Sequence, residues 1–134
     1  MKLFKTLSTV LLVAFVQTAV AADATIPYTE ATKYIGQTKT VEGTVVGTYC
    51  NEKMCFLNFH ADFKNNLSAV IMAADFAKFS KVTGKELKAE MDKMYMGKKV
   101  QITGMLNEYK GKNDEKARPQ IALTDSANIK VLTK

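Results

Sequence analysis

Apolar and polar positions alternate with a period of two in five stretches of this chain, and one further stretch carries the spacing of an amphipathic helix. Across residues 38–50, Val41, Gly43 and Val45 alternate with Glu42, Thr44 and Val46, the pattern of a half-buried strand. Gly43 and Gly47 inside that run mark points where a strand can bend, which small closed barrels need. Residues 51–54 separate Cys50 from a second strand at 55–59, predicting a hairpin with a four-residue loop. After a polar connection at 60–66, a third strand covers 67–72. Leu57, Phe59, Leu67, Ala69 and Ile71 form the core side of these two strands.

The period then changes. Asp75 is placed to cap a short helical turn ending at Ser80, and Thr83-Gly84-Lys85-Glu86 has the Ser/Thr-x-x-Glu form of a capping box. Leu87, Met91, Met94 and Tyr95 recur on one face, which predicts a helix from about Gly84 to Tyr95, ended by Gly97. A fourth strand follows at 99–106 and a polar loop at 110–117. A fifth strand spans 119–123, with residues 129–132 extending or following it. Residues 23–37 read as a helical or irregular lead-in.

The extreme N-terminus obeys a different grammar. Lys2 and Lys5 precede the apolar run Leu11-Leu12-Val13-Ala14-Phe15-Val16, and small residues follow at Ala19-Val20-Ala21-Ala22, as in a cleavable secretory signal. The apolar run is shorter than the roughly 20 residues of a spanning helix. Residues 1–22 are therefore expected to be a signal peptide and residues 23–134 a single domain, periplasmic or secreted, with no membrane span in the mature chain. Removing Lys2 and Lys5 lowers the net charge from +6 to +4, a mild bias towards anionic partners. Export places Cys50 and Cys55 in an oxidising compartment, where a disulfide stapling the predicted hairpin is expected.

Three strands, a helix and two strands is the order of an all-β, five-stranded OB-fold barrel with its helix between strands 3 and 4. Tyr34-Ile35-Gly36-Gln37, Val41-Glu42-Gly43-Thr44-Val45, Phe56-Leu57-Asn58-Phe59, residues 97–104 and Pro119-Gln120-Ile121-Ala122-Leu123 resemble OB domains of the tRNA-anticodon-binding and helicase type. They also resemble the OB module attached to some secreted bacterial nucleases. The resemblance implies an exported bacterial protein that binds single-stranded nucleic acid across strands 2 and 3, between the first hairpin loop and the strand 4–5 loop. It points to Tyr49, Phe56, Asn58, Ser68 and Val70, and in the later loop to Tyr109, Lys110, Lys112, Lys116, Arg118 and Gln120. Aromatic rings would stack on bases and the cations would neutralise phosphates.

Two other readings stand beside this one. An OB face also accepts an oligosaccharide or a protein partner. The six methionines that follow the signal, with Met91, Met94 and Met96 foremost and Met54, Met72, His60, Cys50 and Cys55 besides, suggest a periplasmic copper or silver carrier, since thioethers bind soft monovalent metals. Met91 and Met94 fall on the apolar helix face, however, and the chain has no Trp to cap such a metal. His60 is the only histidine, and no phosphate loop, His-Glu-x-x-His or paired-carboxylate motif is present, so no enzyme, cofactor or metal site is expected. A monomer is the expected state.

Overall fold

The computed structural model describes residues 24–132, so the expected signal peptide lies outside the described residues. Eight strands form one sheet system: β1 (Thr25–Pro27), β2 (Thr38–Thr44), β3 (Gly47–Cys50), β4 (Met54–Asn58), β5 (Ser68–Met72), β6 (Lys99–Tyr109), β7 (Arg118–Ala122) and β8 (Ile129–Val131). The neighbour order is β1-β2-β6-β7-β5-β4-β3, with β8 pairing β6. The predicted first strand is thus one run in two parts. Val45 donates its N–H to the Lys98 carbonyl and Val46 donates to Asn58, so the chain changes partner between adjacent residues. That switch joins the two ends of the strand order and closes the barrel. All but one of the pairings is antiparallel within the five-strand barrel; β5 and β7 run parallel, as the third and fifth strands of an OB fold do.

The barrel is filled by the side chains that alternation places inward. Val41, Val45, Leu57, Ile71, Val100, Ile102, Leu106, Ile121 and Leu123 are fully buried, and Phe59, Leu67 and Ala69 join them as the pattern requires. Gly104 sits where an added Cβ would lie 2.1 Å from the Ala122 carbonyl oxygen, so β6 and β7 approach as closely as they do only because this residue has no side chain.

The one α-helix among the described residues, α1 (Gly84–Met94), closes one end of the barrel. Its capping box forms as expected: the Glu86 N–H donates to the Thr83 hydroxyl at 3.1 Å, and the Glu86 carboxylate accepts the Thr83 N–H at 3.1 Å. Leu87, Met91 and Tyr95 face the core, and α1 packs against β3 and β4. Met94 is 42% exposed, so the apolar face is narrower than its spacing suggests. Gly84 is buried against the hairpin tip: a Cβ there would meet the Asn51 carbonyl oxygen at 2.2 Å.

Three local expectations change. The hairpin connection is the three residues 51–53, because Met54 already pairs with Met72 as the first residue of β4. Asp75 does not cap: the 3-10 segment Ala73–Phe79 starts after Met72 without a side-chain cap, and Asp75 instead faces Lys78 at 3.9 Å. The lead-in is helical at Tyr28–Tyr34, as expected, but also contains β1, which runs parallel to β2; Ile129–Val131 follows β7 as a separate strand paired with β6.

Candidate functional site

The outer surface of β3, β4, β5 and β7 carries the alternate residues of each strand. Register sets them in rows: Tyr49 lies opposite Phe56 and Phe56 opposite Val70, and beside them Asn58 pairs with Ser68, Ser68 with Gln120 and Gln120 with Asn107. Phe56 and Val70 stand outside the core cluster, so their predicted outward direction holds. They are nonetheless 8% and 6% exposed, and Ser68, Arg118 and Gln120 are buried as well. Alternation identifies the face of a sheet but not a loop folded back onto it.

One loop and the side chain of Arg118 supply that cover. In the connection 59–67, the Asp62 N–H donates to His60 Nδ1 at 2.9 Å, Asn65 Nδ2 donates to the Asp62 carboxylate at 3.0 Å, and Asn66 Nδ2 donates to the Asp62 carbonyl at 2.9 Å. These bonds set Phe63 beside the sheet. Arg118, expected in a free basic loop, is instead the first residue of β7 and pairs with Tyr109. Its guanidinium carbon lies 5.5 Å from the Phe56 ring centroid and 5.4 Å from those of Phe63 and Tyr109. One guanidinium N–H donates to the Phe63 carbonyl at 2.9 Å. Among the described residues no carboxylate forms an ion pair with it. Burying most of a cation is costly, and here three ring faces and one carbonyl offset part of that cost.

Above this arginine lies a cleft of about 590 Å³, lined by β3, β4, the loop 59–67 and Arg118. Tyr49 (54% exposed) and Phe63 (41%) stand on its walls, and Asn58, His60 and Val46 complete it. Tyr49 owes its exposure to β3, whose other face is anchored to α1: the Thr48 hydroxyl donates to Asp92, which also pairs with Lys88 at 2.9 Å. The Thr48 bond, and then Lys88, hold the Asp92 carboxyl below its ordinary 3.8 against the opposing effect of burial. Val46, Gly47, His60, Ala61 and Phe63 were not expected at the site. Phe63 had a legible signal, being an aromatic residue in a polar connection.

A second cleft of about 550 Å³ lies between the loops 59–67 and 110–117, lined by Lys64, Asn65, Asn113, Asp114, Glu115 and Lys116. Lys116 lines this cleft and Lys110 and Lys112 are exposed elsewhere on the same loop, whereas Tyr109 is half-buried over Arg118. Asp114 accepts the Gly111 N–H at 2.8 Å and faces Lys64 at 3.7 Å, which joins the two loops. The two clefts thus flank the Phe63–Lys64 segment.

Among the soft-metal candidates, Met54 lies opposite Met72 across β4 and β5. Met91 is fully buried in the core, Met94 and Met96 are exposed, and Cys50 and Cys55 are joined as a cross-strand disulfide. Among the described residues no group of three or more His, Cys, Asp or Glu side chains is placed to hold a metal, and no helix is long and apolar enough to cross a membrane.

No protein-family model matches the chain, and no curated protein matches it either. Among solved structures it is similar to a protein assigned as an aspartyl-tRNA synthetase from Leishmania major Friedlin, with a TM-score of 0.55 at 15% identity, over 92% of this chain and 26% of that one. It is similar also to the aspartyl tRNA synthetase from Entamoeba histolytica, with a TM-score of 0.54 at 17% identity, over 87% of this chain and 23% of that one. The chain spans about a quarter of the length of each synthetase, and at these identities the likeness is one of fold.

Proposed function

We propose that this protein is a small, monomeric, non-enzymatic binding protein for single-stranded nucleic acid, exported by its N-terminal signal. The observation that carries the reading is Arg118, a cation with no carboxylate partner among the described residues, at the floor of an apolar cleft whose walls present two exposed rings. A nucleotide supplies what that site lacks. Its base stacks on Tyr49 or Phe63, an interaction worth about 1–3 kcal/mol per base, and its phosphate meets the guanidinium. The strand then continues over Phe63 and Lys64 into the second cleft, where Lys116 lies.

Several further features support this reading. The barrel surface used is the one on which OB folds in general bind oligonucleotides. The fold neighbours are tRNA synthetases, enzymes named for a nucleic-acid substrate. The Cys50–Cys55 bridge suits an oxidising compartment, in line with export. A sugar chain would also stack on the rings, but a neutral one leaves the guanidinium unanswered.

Fluorescence anisotropy of the exported protein with a labelled single-stranded oligonucleotide at low salt tests the proposal. We expect binding that weakens steeply with salt and that an unlabelled neutral oligosaccharide does not compete away. An Arg118→Gln variant that stays folded should bind at least tenfold more weakly, since a charged hydrogen bond is worth about 1.5–3 kcal/mol. Absence of binding at low salt would refute the reading. N-terminal sequencing of the exported protein should begin at residue 22 or 23; a start at Met1 would contradict the signal assignment.

A further inference from the structure

The amide of Asn58 is held at one end and open at the other. On the β5 side its cross-strand neighbour Ser68, which is 1% exposed, donates its hydroxyl to Asn58 Oδ1 at 2.6 Å, turning the oxygen end of the amide toward β5. On the β3 side the residue opposite Asn58 is Gly47. A Cβ built there would lie 3.8 Å from Asn58 Nδ2, so the nitrogen end projects over a position that has no side chain to cover it. Both Gly47 and Asn58 line the cleft between Tyr49 and Phe63.

From this geometry, and resting on the nucleic-acid reading above, we infer that Asn58 is a specificity-determining residue that selects bases with a keto edge, uracil, thymine and guanine, over the amino bases cytosine and adenine. An asparagine that offers both ends of its amide forms a two-point contact with adenine, donating to one ring nitrogen and accepting from the exocyclic amine. With Oδ1 engaged by Ser68, only the donor end faces the ligand, and that end fits a carbonyl oxygen. The exocyclic amine of cytosine or adenine would place donor against donor. Ser68 is then the positioning residue, acting through Asn58, and Gly47 leaves the space through which the base edge arrives.

Uracil and cytosine test this cleanly, because both are pyrimidines of one size and differ in the keto or amino group at position 4. Anisotropy titrations of the exported protein with labelled ten-nucleotide (dU) and (dC) strands should show tighter binding of the (dU) strand by about three- to tenfold, the scale of one hydrogen bond gained or lost. Asn58→Asp exchanges the donor for an acceptor and should invert the ratio. Ser68→Ala frees the amide to present either end and should bring the ratio to about one. Gly47→Val, which touches neither residue's chemistry but covers Nδ2, should also abolish the preference. Equal binding of the two strands by the unaltered protein, or an unchanged ratio in all three variants, would overturn the assignment of Asn58 while leaving nucleic-acid binding intact. Binding of neither strand would overturn both.

Discussion

At the scale of single residues, direction and exposure are separate properties, and only the first was legible in the alternation of the strands. Phe56 and Val70 point away from the core as the period requires, yet both are covered. The strand pattern begins at Pro119 and leaves Arg118 with the basic loop, whereas β7 starts one residue earlier and holds Arg118 in the sheet. Its position over Phe56 depends on where Phe63 lies, a contact between residues 55 positions apart that no local pattern encodes. Tyr49, by contrast, is both outward and open. Replacing it with Ala should therefore weaken oligonucleotide binding about 5- to 100-fold while the melting temperature moves by no more than about 1–2 °C, as for a surface change. Titration and thermal melting of the same variant check both halves.

At the scale of elements, local chemistry was a better guide. The capping box of α1 was readable from Thr83 and Glu86 because it is a contact between residues three apart. Thr83→Ala should cost about 1 kcal/mol of stability, seen as a lower denaturation midpoint at unchanged slope. The short strand β1 was missed because three residues ending in a proline give no alternation to read, and a parallel partner at Thr40–Glu42 leaves no hairpin signal. Three carboxyls tie elements together or close their ends. Glu42 is held below its ordinary 4.5 by hydrogen bonds from Gln101 and Lys99, Glu86 by the N–H groups of Thr83 and Val82, and Asp92 by Thr48 and then Lys88. Each binds protons more weakly when folded than when unfolded, so its contribution is fully present above pH 4.5 and is lost as pH falls through the depressed folded values. Thermal melts should show stability declining as pH is lowered through that range, with a shallower decline in the Thr48→Val variant.

At the scale of the whole molecule, the order of strands and helix disclosed the barrel, since five alternating runs with one helix after the third leave few closed arrangements. The closure itself was less visible. It depends on Val45 and Val46 bonding to opposite neighbours, Lys98 just before β6 on one side and Asn58 of β4 on the other, which looks in the sequence like an uninterrupted strand. The charge of the molecule also acts at this scale. If the strand passes from the first cleft into the second, Lys116 contacts a phosphate, and Lys116→Gln should flatten the salt dependence of binding by about 0.7 in log–log slope, the increment per phosphate of a single strand. Binding isotherms at four or five salt concentrations would measure it.

The most direct test of the account is to locate the ligand on the barrel. In a titration of the isotope-labelled exported protein with an unlabelled single strand, the backbone amide resonances of residues 46–49, 56–60, 63 and 118 should shift together and saturate together. Shifts confined to the opposite wall, around the hydrogen-bonded Thr40 and Thr103 and the strand β8, would contradict it.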